Sequence, residues 1–487
     1  MTAFADLLGT VKADGPLPVS PPAAEPLGAA YLARRGRGID LAAHGYVEQE
    51  FLVSGQADDW TWDDTFTARP AVTLPFTTRV LVRRPADPAA FSGAVYLEPN
   101  HPDYDRSLTW SMVAPWLVRS GHAHVGITQE PAAVADLARW DPARYGTLRI
   151  DRSNQRWDIV ALTAGALAAG TTPLLGGFPV RRQVLSGWSM TGTFCRTFVG
   201  EGFHRRCQAN GRPSIDGYVV CISSGGAGRA GYASLRDGTR LPADDPRRTI
   251  GAHGVPVVEL LSEGESETHR AVLRPDADGP HDKYRLYQVA GTGHSGNGGD
   301  GLMTNRIQMD ERGWPPQPRE IVEDPSDGRM DLVARAVFEA VDRWIADGTA
   351  PPVADRFSYD DPAGDGIRGV MPESVPLSRD DDGNVRSGIR TPWAQVPSAA
   401  YFPHSTPVPG RSVPAPHAPY SDPVMLADLI AHRKPFPLAE LARRYRDRSS
   451  YLDRRDAAAR EAAAAGWLLD ADLADLARLA RRVPDGW

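Results

Sequence analysis

Cysteine is scarce in this chain of 487 residues: only Cys195, Cys207 and Cys221 occur. An odd number at irregular spacing excludes a disulfide framework and gives no metal-ligand signature, so buried free thiols are expected. Long apolar runs are also missing. No segment could span a bilayer as a helix, and the N-terminus lacks the basic start and sustained apolar stretch of a secretory leader. The expectation is a soluble cytoplasmic protein with no membrane partner. A basic excess is lacking too, since 61 acidic and 54 basic residues leave a net charge of −7. That balance gives no electrostatic footprint for nucleic acid. No internal repeat is evident.

What the chain has in quantity is glycine and proline, 47 and 43 residues, punctuating segments that alternate between strand and helix patterns. Residues 46–53 and 77–82 read as early antiparallel strands, followed by strands at 94–97 and 123–127. Residues 156–169 have helical spacing with an alanine-rich face, 216–222 form another strand, and 331–347 read as an amphipathic closing helix. Such alternation predicts an α/β protein with a mostly parallel central sheet flanked by helices. Residues 1–44 are expected to be an N-terminal arm, proline-rich at 16–26. Residues 45–352 would form one catalytic core with insertions. Residues 353–487 would be a proline-rich wrap followed by helices at about 438–482, which cover a sheet face or form part of a lid.

The most informative segment is Gln183-Val-Leu-Ser-Gly-Trp-Ser-Met-Thr-Gly192. A short apolar run meets a serine between glycines and enters a helical stretch, the profile of a nucleophile elbow with Ser189 at the strained turn. The second glycine falls one position later than in the common G-x-S-x-G form, and a helix N-cap serine would have a similar appearance. The order of candidate partners downstream favours the elbow. His294 lies where an alternating strand, 284–289, runs into Gly-Thr-Gly-His, and an imidazole can take a serine proton and return it to a leaving group. The acid is expected after the preceding strand, in Gly254-Val-Pro-Val-Val-Glu-Leu-Leu-Ser-Glu-Gly-Glu265. Glu265 is preferred, Glu263 is the alternative, and Glu267 reads as a solvated loop carboxylate.

An oxyanion hole would combine the N–H of Met190 with a backbone N–H at Asn100 or His101, in the loop after the third core strand. Asn100 reads equally well as a turn-former that ties its loop, and His101 as a substrate contact or a turn residue. Trp188, Tyr104 and Met303 are candidate lining for an acyl or alcohol group, with core packing as the competing reading and the favoured one for Trp110.

These blocks resemble the bacterial alpha/beta hydrolase domain family, whose members carry a G-x-S-Q-S-G/A elbow and a late A-G-x-x-H. The matching segments, in order, include Val95-Tyr-Leu-Glu-Pro-Asn100, Gly121-His-Ala-His-Val-Gly-Ile127, Trp140-Asp-Pro-Ala-Arg-Tyr-Gly146, the elbow, Arg285 to His294, and Asp382 to Pro392. The resemblance implies the alpha/beta-hydrolase fold and assigns the family's serine, histidine and acid to Ser189, His294 and Glu265. Met190-Thr191 replaces the usual Gln-Ser, and glutamate replaces the usual aspartate at 265. The activity expected is hydrolysis of a small carboxylic ester or lactone, with an apolar or aromatic portion, through an acyl-enzyme and without cofactor or metal. An acyltransferase using the same three residues, or a catalytically silent binding protein on the same fold, is the alternative.

Overall fold

The long alternating segments pair into one ten-stranded sheet. The computed structural model describes residues 3–19, 28, 33, 38–226, 231–242, 244–296, 321–360, 374–410 and 423–480. The sheet strands in chain order are β1 (Lys12–Asp14), β2 (Tyr46–Trp62), β3 (Ala68–Pro85), β4 (Ala94–Pro99), β5 (Ala123–Ile127), β6 (Arg182–Trp188), β7 (Gly217–Cys221), β8 (Pro256–Leu261), β9 (Ala277–Asp278) and β10 (Lys283–Gln288). Across the sheet they run β1-β2-β3-β5-β4-β6-β7-β8-β10-β9. The six strands from β5 to β10 in that order are mutually parallel, while β1, β2, β3 and β9 pair antiparallel. This is the alpha/beta-hydrolase fold.

Residues on successive positions of a strand point to opposite faces, and here both faces are buried, which explains the nearly continuous apolar runs. Val95 and Leu97 of β4, Leu185 of β6 and Val220 of β7 enter one core with Trp157, Phe194 and Phe198. Tyr96, Val184, Val219 and Val258 enter the other with Trp116, Leu332 and Phe338. The helices α1 (Leu108–Arg119) and α5 (Met330–Ala346) cover this second face; α2 (Arg156–Ala169) and α3 (Met190–Gly200) cover the first. The short helix α4 (Glu263–His269) follows β8.

The β2–β3 hairpin is far longer than its apolar segments suggest, because its outer half is held by polar contacts. Trp60 donates its indole N–H to Asp158 of α2 at 3.0 Å and meets Phe203 edge to face. Described residues near the C-terminal end are tied into the core. Asp472 accepts from Arg119 of α1 and Arg335 of α5 at 2.9 and 3.1 Å, and Trp467 meets Tyr287 of β10 edge to face, so this part of the chain packs against both the α1/α5 layer and the sheet. A small antiparallel sheet joins β11 (Asp324–Pro325), β13 (His432–Pro435) and β12 (Ala399–Phe402) in that order. The three cysteines are buried free thiols, as expected. No helix among the described residues is long and apolar enough to cross a membrane.

Candidate active site

Strand β6 ends at Trp188 and helix α3 begins at Met190, leaving Ser189 as the joint between them. Its backbone sits at φ 59°, ψ −122°, a region that side chains with a Cβ seldom occupy and that surrounding structure must enforce. The Ser189 N–H donates to the Cys221 carbonyl of β7 at 3.1 Å, and the Ser189 carbonyl accepts from Thr193 N–H at 2.9 Å, starting the helix. Thr191 Oγ1 accepts from Trp188 N–H and donates to the Trp188 carbonyl, both at 2.9 Å. A Cβ on Gly187 would lie 2.1 Å from the Thr191 carbonyl oxygen, and one on Gly192 would lie 2.5 Å from that of Cys221. The late second glycine therefore has a local cause: position 191 clasps the turn through its hydroxyl, and position 192 is the one pressed against β7. The Met190 N–H, at the first helical position, has no acceptor among the described residues, as the geometry of a helix N-terminus requires.

At the end of β8, Ser262 leads into α4, and three residues later Glu265 meets His294. His294 Nδ1 lies 2.6 Å from Glu265 Oε1, and Ser262 Oγ donates to Oε2 of the same carboxylate. Burial pushes the Glu265 pKa up, but the charge of His294 and the hydrogen bonds from His294 and Ser262 outweigh it and hold the carboxyl below its usual range. An ionised carboxylate can only accept, so the imidazole carries its proton on Nδ1 and, when neutral, keeps a lone pair on Nε2.

The neighbouring carboxylates have other partners. Glu263, 1% exposed, accepts from Gly291 N–H at 2.7 Å and pairs with Arg379 at 2.7 Å. Burial raises its pKa against the opposing pull of Arg379 and Gly291. Glu267 is not solvated, contrary to expectation: it is buried and lies 3.0 Å from His404 Nε2. Nothing near it in sequence signals this, because His404 lies 137 residues away.

Ser189, Glu265 and His294 follow the C-terminal ends of β6, β8 and β10, which are parallel, with β7 between β6 and β8. All three thus stand at one edge of the sheet. Glu265 and His294 are in contact; no hydrogen bond joins Ser189 Oγ to His294 among the described residues.

The expected second oxyanion donors need correction. Asn100 N–H is spent on the Ile127 carbonyl and His101 N–H on that of Arg106, both at 2.8 Å. The Asn100 side chain accepts from Ser107 Oγ at 3.0 Å, so it ties its loop. His101 Nδ1 accepts from Asp103 N–H at 3.2 Å, making its ring part of the same turn. This loop is strained, with positive φ at both Tyr104 and Asp105.

Two of the expected lining residues are core residues. Trp188 and Tyr104 are each 2% exposed and belong to the clusters on opposite faces of the sheet, Trp188 on the same side of β6 as Val184. Trp110 is core, as favoured. Met303 lies outside the described residues. Among the described residues no cluster of histidine, cysteine and carboxylate side chains has the makings of a metal site. Sequence reasoning missed Ser262 as a partner of Glu265; its position three residues before the acid was the available signal.

The profile of the alpha/beta hydrolase domain family matches residues 13–478. No curated protein matches the chain. Solved structures with some likeness include a thermostable esterase from Pseudomonas putida ECU1011, 12% identical with a TM-score of 0.30, covering 53% of this chain and 78% of that one. Esterase Est22 is 13% identical at a TM-score of 0.31, with 59% and 84% covered. Brefeldin A esterase, a bacterial homologue of human hormone sensitive lipase, is 13% identical at 0.24, with 43% and 60% covered. These likenesses are too distant to bear on substrate.

Proposed function

We propose, from the premise that the chain belongs to the alpha/beta hydrolase domain family, that it is a serine hydrolase cleaving a small carboxylic ester or lactone. The observation that carries this reading is the 2.6 Å contact between His294 Nδ1 and Glu265, at the same sheet edge as a strained serine heading a helix. A histidine so held presents Nε2 as the base, and the carboxylate stabilises the imidazolium that forms.

In the first half-reaction Ser189 Oγ attacks the substrate carbonyl carbon while its proton passes to His294 Nε2. The carbonyl oxygen gathers negative charge, which the Met190 N–H and the N-terminal end of α3 stabilise. The tetrahedral centre collapses, the C–O bond to the alcohol breaks, and His294 returns the proton to the departing alkoxide. In the second half a water molecule gives a proton to His294 and attacks the acyl-serine ester. Collapse releases the carboxylic acid and returns the proton to Ser189. This sequence also needs a Ser189–His294 hydrogen bond, and in enzymes without substrate such bonds often tighten only on binding. Hydrolysis of a panel of aryl, alkyl and lactone substrates by the wild type and by Ser189→Ala tests the proposal. Turnover confined to the wild type supports it, and equal turnover by both rejects it.

A further inference from the structure

Both elements that bring His294 and Glu265 together are gripped from the C-terminal part of the chain. On the histidine side, Ser295 N–H and Oγ donate to the Leu429 carbonyl, each at 2.9 Å, and the Ser295 carbonyl accepts from Ala431 N–H at 2.8 Å. The fit is close: a Cβ on Gly293 would stand 2.5 Å from Ala431 Cβ and 3.1 Å from the Pro403 carbonyl oxygen. On the acid side, a Cβ on Gly264 would touch His404 and Pro403 at 3.4 and 3.5 Å.

His404 joins these two grips. Its Nε2 lies 3.0 Å from Oε2 of Glu267, one half-turn beyond Glu265 on α4. Its Nδ1 lies 2.8 Å from the Asp428 carbonyl oxygen and 3.2 Å from Asp428 Oδ1, immediately before the Leu429 that holds Ser295. Both ring nitrogens face only acceptors, so both carry hydrogen and the ring is a cation. Burial disfavours that charge, but Asp428 and Glu267 outweigh it and raise the His404 pKa to about 11.

We infer that His404 is a positioning residue for the proposed reaction: by bridging Glu267 and Asp428 it fixes the helix bearing Glu265 against the loop bearing His294. The inference rests on the serine hydrolase reading. It gives residues 403–404 and 428–431 the part of a clasp that sets the spacing of two reacting-site elements. His404 bonds to Asp428 and Glu267, not to Ser189 or His294, and acts only through these neighbours.

The test compares wild type, His404→Ala and His404→Gln for melting temperature, for kcat and KM on an aryl ester, for the pH profile of kcat/KM, and for fluorophosphonate labelling. A labelled wild type with His404→Ala folded, kcat lower by roughly 10- to 100-fold and KM within about twofold is the expected result. The acid limb of kcat/KM should also move to lower pH, because a loosely held Glu265 stabilises the imidazolium less. His404→Gln, which keeps one donor, should fall between the two, and it provides the reading should His404→Ala fail to fold. A labelled wild type whose folded variant keeps its kcat and acid limb overturns the inference alone. An unlabelled and inactive wild type overturns it together with the serine hydrolase reading.

Discussion

Glu265 Oε1 stands 2.6 Å from His294 Nδ1, whereas Glu263, two residues earlier on the same short helix, turns its carboxylate to Gly291 and Arg379. One helix thus separates two acids of the same kind into different tasks. The direction each side chain takes on α4 decides which one meets the imidazole.

The two acids should therefore fail differently when neutralised. Glu265→Gln is expected to show its main effect in kcat, lowered by orders of magnitude, since a triad acid orients the imidazole and supports its charge. Glu263→Gln leaves Arg379 without its anion, and breaking a buried pair costs on the order of 3 kcal/mol. Its main effect should appear in thermal unfolding. Kinetics and melting curves on the two variants check this, and the opposite ranking would move the acid assignment to Glu263.

The elbow makes a steric prediction. Gly192→Ala places a methyl 2.5 Å from the Cys221 carbonyl oxygen, and Gly187→Ala places one 2.1 Å from that of Thr191. The obstructing atoms are backbone, so relief requires moving the turn that holds Ser189. Both variants should lose activity, and Gly187→Ala should express poorly or unfold at lower temperature. Near-wild-type activity in Gly192→Ala would mean that the turn is looser than its contacts indicate.

Acid should weaken the fold partly through Glu265. Its pKa in the folded protein lies below the ordinary 4.5. A carboxylate depressed in this way stabilises the fold fully above its unfolded value, and that contribution is lost as the pH falls through the folded value. Below pH 4.5 the wild type should lose stability more steeply than Glu265→Gln, which has no carboxylate to protonate there. Denaturant midpoints measured across this range give the two slopes, and identical slopes would count against an ionised Glu265 in the folded state.

Much of this arrangement was legible in the sequence. The strands at 94–97, 123–127 and 216–222 and the helices at 156–169 and 331–347 announce themselves by apolar runs and helical spacing, which burial on both sheet faces and on helix stripes requires. The places of Ser189, Glu265 and His294 after strand ends were readable from the apolar runs that precede them. The outer half of the β2–β3 hairpin was hidden, because Ser54 to Asp59 is mostly polar and is held by contacts such as Trp60 to Asp158. The oxyanion loop was misjudged for a related reason: whether Asn100 and His101 N–H groups are free depends on Ile127 and Arg106, which spacing along the chain does not reveal. The partners of Glu263 and Glu267, Arg379 and His404, lie beyond 100 residues away in sequence and carry no local pattern.

The central claim, that Ser189 becomes acylated, is tested most directly by mass spectrometry of peptides from protein quenched during turnover of an activated aryl ester. The account predicts an acyl group on Ser189 in the wild type, and its absence, together with loss of turnover, in Ser189→Ala. Full turnover by Ser189→Ala, or an adduct confined to another residue, would contradict it.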